Sequence, residues 1–97
     1  MSFLSNIFGG TRTDVHELIQ NGARIIDVRT RDEFREGHFK GSINIPLDQL
    51  EQKANSLKKD EVLVMCCRSG MRSGSATAKL KSIGFTNVFI GGSWTSL

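Results

Sequence analysis

The chain has 97 residues, which suits one domain with a single hydrophobic core. A hydrophobic content of 38% and a charged content of 24% are ordinary for a soluble globular protein. The formal net charge of +3 comes from scattered Lys and Arg residues, so we expect a bias toward small anions and no nucleic-acid partner. No apolar stretch is long enough to span a bilayer, and none resembles a signal peptide. Two adjacent cysteines favour reduced thiols, and we expect a cytoplasmic location without membrane contact.

The N-terminal segment, residues 1–10, carries apolar side chains and a closing pair of glycines. We expect this segment to be loosely ordered, to pack on the core, or to form a short edge strand. Thr11 and Asp14 have the spacing of a capping box, so a first helix is predicted to begin there. Asn21-Gly22 is predicted to end it.

A first strand is predicted over residues 23–28, where Ile25 and Ile26 form an apolar pair. Thr30 and Glu33 have the spacing of a second capping box, which predicts a short helix after the strand. Arg29 and Glu33 lie four positions apart, so their side chains could form an ion pair.

The rest of the chain alternates strands and helices. Such alternation requires right-handed crossovers and a parallel sheet that is covered by helices on both faces. The sequence therefore predicts a three-layer α/β fold and a single domain over residues 1–97. In chain order, the further predicted elements are a strand at 43–45, a helix at 47–57, a strand at 62–66, a helix at 73–82 and a strand at 87–90, followed by a flexible exit at 91–92.

The stretch from Val62 to Ser73 carries the most chemistry. An apolar strand changes at once into a short loop with two arginines and a glycine, Cys67-Arg68-Ser69-Gly70-Met71-Arg72. A strand, a tight loop and a helix N-terminus gather free backbone N–H groups into an anion cradle. Positive charge and amide dipoles around a cysteine favour its thiolate. The polar residues that follow Cys67 predict that this cysteine stays out of the hydrophobic core.

The six-residue loop resembles the C-x-x-G-x-R active-site loop of rhodanese-like sulfurtransferases. This loop and two further stretches occur in the order and spacing of that family, and together they cover nearly the whole chain. The resemblance implies a parallel sheet of about five strands, with the loop at the carboxyl end of one strand. The two other stretches are Ile26-Asp27-Val28-Arg29, continued by Glu33-Phe34 and residues 37–46, and Gly91-Gly92-Ser93-Trp94.

The same resemblance assigns Cys67 as the nucleophile that accepts a sulfane sulfur and holds it as a persulfide. It implies no cofactor and no metal. Arg72 foremost, and also Arg68, would attract a small anionic donor such as thiosulfate, a persulfide or a polysulfide, and a thiol, cyanide or a protein would accept the sulfur. The resemblance further implies substrate binding by Arg68, Ser69, Gly70, Met71 and Arg72, and structural support from Asp27, Arg29, Glu33 and His38.

Three alternatives stay open at this point. His38 could pair with the thiolate, although a histidine in a fixed turn more often hydrogen-bonds to backbone. Counted from Cys66, the stretch to Arg72 is C-x5-R followed by Ser73, the spacing of cysteine-dependent phosphatases. Against that register, Cys66 continues the apolar strand. Finally, a rhodanese-like domain can be a partner-binding module, but such modules usually lack the loop cysteine that Cys67 provides here.

Overall fold

The structure is a computed structural model that describes residues 14–97. The predictions for residues 1–10 and for Thr11 lie outside the described residues. Within residues 14–97 the sheet has four strands, all parallel, in the order β2-β1-β3-β4, where about five were expected. The strands are β1 (Arg24–Asp27), β2 (Ile43–Asn44), β3 (Leu63–Cys67) and β4 (Val88–Ser93).

Within residues 14–97, four α-helices and three 3₁₀ turns connect and flank the strands. The helix predicted after Pro46 is interrupted, because a short α-helix lies there between two 3₁₀ turns. No helix within residues 14–97 is long and apolar enough to cross a membrane. The helices are α1 (Val15–Gln20), α2 (Arg31–Glu36), α3 (Leu50–Lys53) and α4 (Met71–Ser82), and the 3₁₀ turns are Leu47–Gln49, Ala54–Ser56 and Trp94–Ser96.

Two helix starts differ from the predicted ones. Asp14 is itself the N-cap of α1, and its carboxylate accepts the N–H groups of His16 and Glu17. The prediction of a capping box that begins at Thr11 and has Asp14 as its third helical residue is therefore wrong. Helix α4 begins at Met71, two residues before the predicted start, because Gly70 adopts a left-handed conformation that turns the chain into the helix.

The sheet is buried on both faces. Alternation along β3 directs Leu63, Met65 and Cys67 into the core cluster that α3 and α4 cover. Val64 and Cys66, which belong to the opposite face, are also fully buried. Burial on both faces is what a three-layer α/β fold requires, and it confirms the predicted fold class.

Cys67 contradicts one expectation from the sequence. Its exposed fraction is 0%, and it belongs to the hydrophobic core. The reason is that β3 extends one residue further than the apolar pattern indicated, since Cys67 still pairs with Ser93 of β4. The polar loop therefore begins only at Arg68.

The predicted flexible exit at Gly91-Gly92 is also wrong, because both glycines belong to β4. The register between β3 and β4 shifts beside Met65 and Cys66, which is a β-bulge on the β4 side. A Cβ atom on Gly91 would lie 2.7 Å from Cγ1 of Val64 and 2.9 Å from the carbonyl oxygen of Met65. Glycine is thus required for the close approach of the two strands.

The strand order places a crevice at one end of the sheet. From β1 the chain crosses to β2 on one side and later returns to β3 on the other side. Ligands of open α/β sheets bind at such a switch point, outside the carboxyl ends of the strands. Here those ends are Asp27 of β1 and Cys67 of β3, and the loop of residues 68–70 follows directly.

Candidate active site

The sulfur atom of Cys67 lies inside the turn that leads from β3 into α4. Its Sγ accepts the backbone N–H of Gly70 at 2.9 Å and that of Ser73 at 3.3 Å. Gly70 has a φ of +97°, a conformation that residues with a side chain rarely adopt. This conformation turns the chain back toward the strand end, so that two N–H groups converge on one sulfur.

The two adjacent cysteines have opposite acid–base properties. Burial raises the pKa of Cys67, but the N–H of Ser73, its nearby side chain and the N–H groups of Gly70 and Ser69 outweigh burial and hold this pKa below its ordinary value. Burial, with the nearby charge of Asp27, raises the pKa of Cys66 to about 12. Cys67 is therefore suited to be a thiolate nucleophile, whereas Cys66 remains a protonated thiol.

Arg72, at the start of α4, forms a bidentate ion pair with Glu33 of α2. Its Nη1 lies 2.8 Å from Oε1 and its Nη2 lies 3.0 Å from Oε2 of that carboxylate. The Arg72 guanidinium first, and then the N–H of Thr30, lower the pKa of Glu33 to about 2. The Arg72 guanidinium, which was expected to attract a donor, is thus paired with a carboxylate of the protein.

The ion pair that the spacing of Arg29 and Glu33 allowed does not form, because Arg29 pairs with Asp27 instead. The Asp27 carboxylate is fully buried and accepts the backbone N–H, Nε and Nη2 of Arg29 at 2.8–3.1 Å. Arg29 still reaches α2, but through the carbonyl oxygens of Glu33 and Gly37. The ring of Trp94 packs over the Arg29 guanidinium at 4.9 Å.

His38 lies two residues after the end of α2 and is exposed. Its Nδ1 is 2.7 Å from the carbonyl oxygen of Phe34, and its ring stacks on the Phe34 ring with centroids 3.6 Å apart. Among the hydrogen bonds within residues 14–97, none joins His38 to Cys67. These contacts match the backbone-bonding alternative for this histidine.

The outer rim of the loop is open to solvent. Arg68 and Ser69 are exposed, and Met71 has an exposed fraction of 81%. Arg68 also borders a cleft of about 260 Å³ that Trp94 and Thr95 line as well. Arg68 therefore places an exposed positive charge at the rim of the loop.

Ser73 is a site residue that the sequence did not predict, because the six-residue motif ends at Arg72. The structure places the N–H of Ser73 on the sulfur and its hydroxyl on the carbonyl oxygen of Gly70. A small polar residue directly after the loop, in the first turn of the helix, was the available signal.

Comparison with known proteins identifies the family of this chain. The family model of the Rhodanese-like domain matches residues 11–96. Thiosulfate sulfurtransferase 16, chloroplastic, of Arabidopsis thaliana is 38% identical over 88 residues, which cover 78% of this chain and 73% of that protein. The uncharacterized protein YqhL of Bacillus subtilis is 40% identical over 67 residues, or 69% of this chain, and the match spans only 53% of YqhL.

Solved structures agree with the sequence relatives. The human single-domain sulfurtransferase TSTD1 superimposes with a TM-score of 0.72 at 31% identity, over 84% of this chain and 86% of that one. A rhodanese with anions from E. coli gives a TM-score of 0.72 at 31% identity, over 78% of this chain and 92% of that one. The chain therefore belongs to the rhodanese-like domain family.

Proposed function

We propose that this chain is a sulfurtransferase that moves sulfane sulfur from a small anionic donor to a thiophilic acceptor through a persulfide on Cys67. One observation carries the proposal: at the carboxyl end of β3, the Sγ of Cys67 accepts the N–H groups of both Gly70 and Ser73. A sulfur so placed is a nucleophile inside a ready-made anion cradle.

The first half-reaction loads the cysteine. The Cys67 thiolate attacks the sulfane sulfur of thiosulfate, a new S–S bond forms, and the S–S bond of thiosulfate breaks. Sulfite leaves with the electron pair of the broken bond. A persulfide or polysulfide donor would react in the same way, with a thiolate as the leaving group. The N–H groups around the sulfur stabilise the negative charge throughout this exchange.

The second half-reaction unloads the cysteine. Cyanide, a small thiol or a protein thiol attacks the outer sulfur of the persulfide, and the Cys67 thiolate is the leaving group. The lowered pKa of Cys67 favours this step too, because a thiol of lower pKa leaves faster. The cycle is a ping-pong exchange that needs neither a metal nor an organic cofactor.

We assign different roles to the two arginines of the loop. Arg68 is exposed at the rim, so it is the cation that attracts an anionic donor. Arg72 is bound to Glu33, and its main role is to anchor the loop, so that Ser69, Gly70 and Met71 stay around the entering donor. The relatives named as sulfurtransferases support the reaction class, and a Bacillus subtilis relative is named a putative sulfur carrier protein.

The phosphatase alternative would require Cys66 as the nucleophile. Burial and the charge of Asp27 raise the pKa of Cys66 to about 12, so it would not ionise at neutral pH. Cys66 is also on the sheet face opposite to Cys67, away from the N–H groups of the loop. Both observations favour Cys67 and the six-residue loop.

Intact mass spectrometry without reductant tests the proposal. After incubation with thiosulfate, the wild type and Cys66→Ser should each gain one sulfur atom, and Cys67→Ser should gain none, since a hydroxyl cannot hold a sulfane sulfur. An aryl phosphate assay runs in parallel. Sulfur that follows Cys66, or phosphatase activity lost only in Cys66→Ser, would overturn the proposal. A wild type with neither activity would leave the partner-binding alternative.

A further inference from the structure

We propose that the side-chain hydroxyl of Ser73 is a positioning group that keeps the Cys67 sulfur in its reactive thiolate state. The inference rests on the proposed function, in that Cys67 is taken as the nucleophile. Ser73 lies outside the six-residue motif, and nothing in the chemistry of sulfur transfer requires a hydroxyl there. Its geometry is the reason for the proposal.

Ser73 closes a small ring of hydrogen bonds around the sulfur. Its own N–H lies 3.3 Å from the Sγ of Cys67. Its Oγ donates to the carbonyl oxygen of Gly70 at 2.9 Å, and the N–H of Gly70 donates to the same Sγ at 2.9 Å. Ser73 is fully buried, so no water competes for its hydroxyl. The side chain therefore holds the residue that supplies the shorter of the two sulfur contacts.

Gly70 is the residue in the loop whose backbone most needs a hydrogen bond that fixes its conformation. Glycine has the widest conformational freedom of any residue, and Gly70 sits at a φ of +97°. The helix contributes one donor to the Gly70 carbonyl, the N–H of Gly74 at 3.1 Å. The Ser73 hydroxyl is a second donor to that carbonyl, and it restricts the rotation that would turn the Gly70 N–H away from the sulfur.

Two groups of Ser73 favour the thiolate form of Cys67. The N–H of Ser73 donates to the sulfur directly, whereas its hydroxyl, which donates to the Gly70 carbonyl, acts by holding the Gly70 N–H on the sulfur, and both favour the lowered pKa of Cys67. A Ser73→Ala change keeps the N–H and removes only the hydroxyl. The change therefore separates the side chain from the backbone cradle.

Thr77 provides a matched control one helical turn further on. Its Oγ1 donates to the carbonyl oxygen of Ser73 at 2.8 Å, and it is almost as buried as Ser73, with an exposed fraction of 4%. Each hydroxyl thus donates to a backbone carbonyl three or four residues earlier in the chain. The bond from Ser73 holds Gly70, which supplies the shorter sulfur contact at 2.9 Å, whereas the bond from Thr77 holds Ser73, whose N–H lies 3.3 Å from the sulfur.

The test compares Ser73→Ala, Ser73→Thr and Thr77→Val, each combined with Cys66→Ser, so that one cysteine titrates. The thiolate of Cys67 is followed by its ultraviolet absorbance against pH, and single-turnover sulfur loading from thiosulfate is measured on the same samples. Ser73→Ala should raise the pKa of Cys67 and slow loading about tenfold at a pH below the midpoint of the parent titration, and the loss should disappear at a pH that ionises Cys67 in both proteins. Ser73→Thr, which keeps a hydroxyl, and Thr77→Val should follow the parent protein.

Two results would overturn the inference: a Ser73→Ala titration that superimposes on the parent, or an equal shift in Thr77→Val, which would indicate general loosening of α4. The titration is independent of sulfur transfer. If the titration shifts as expected and no variant or parent loads sulfur, the positioning role stands and the proposed function fails.

Discussion

Arg72 and Glu33, 39 positions apart in the chain, join the first turn of α4 to the first turn of α2 through a bidentate ion pair. The same Glu33 carboxylate accepts the N–H and the hydroxyl of Thr30, which completes the capping box of α2. One carboxylate thus caps one helix and anchors the other. Since Ser73 follows Arg72 directly, this pair determines where the cradle lies.

Replacement of Arg72 by lysine should weaken sulfur transfer through the position of the loop. Lysine keeps the charge but cannot make two parallel bonds to Glu33. We expect kcat/KM for thiosulfate to fall about tenfold, as for the loss of one charge-assisted hydrogen bond. Arg35→Lys is the control, because Arg35 forms an exposed ion pair with Asp32 away from the loop. Unchanged kinetics of Arg72→Lys would show that the anchor has no role in transfer.

The same ion pair should give folding stability a defined dependence on pH. The fold lowers the pKa of Glu33 from about 4.5 to about 2, so the folded state favours the ionised carboxylate. The contribution is fully present above pH 4.5 and is lost as the pH falls toward 2. Urea unfolding should therefore show a steeper loss of stability in this window for the wild type than for Glu33→Gln. Parallel curves for the two proteins would contradict the assignment.

Arg68 should govern the response to donor charge. Arg68→Gln removes the exposed cation at the rim of the loop, so we expect a higher KM for thiosulfate and a weaker dependence of kcat/KM on salt. The thermal unfolding midpoint should not change. Lys58→Gln removes an equally exposed charge in the turn before β3 and serves as the control. If both variants lower kcat/KM equally, only the net charge of the protein matters.

Alanine in place of Gly91 in β4 should destabilise the fold, whereas alanine in place of Gly74 in α4 should stabilise it. Gly91→Ala forces a methyl group against Val64 and the backbone of Met65, so it should lower the free energy of unfolding by about 1–3 kcal/mol. Gly74→Ala adds a methyl group in open space on α4 and should raise it by about 0.5–1 kcal/mol. Urea denaturation measures both. Equal stability of Gly91→Ala and the wild type would mean that β4 can move away from β3.

Local patterns in the sequence determined the elements and the composition of the loop. The Thr30–Glu33 capping box is present as predicted, because a cap depends on residues three positions apart. The apolar run before Cys67 forms a strand, since an uninterrupted apolar stretch satisfies both faces of a covered sheet. The order of strand, loop and helix could be predicted for the same reason. The cradle of N–H groups could be predicted with it, around the cysteine, Cys67, that the resemblance assigned as the nucleophile.

Tertiary structure alone decided the partners of the charged groups and the limits of the strands. Helical spacing allowed Arg29 to pair with Glu33, but a buried Asp27 offers a carboxylate shielded from water, and Glu33 pairs with Arg72. The extension of β3 through Cys67 depends on the bulge of β4, which comes 24 residues later in the chain. Such pairings depend on which distant segments pack together, and this information is absent from short-range spacing.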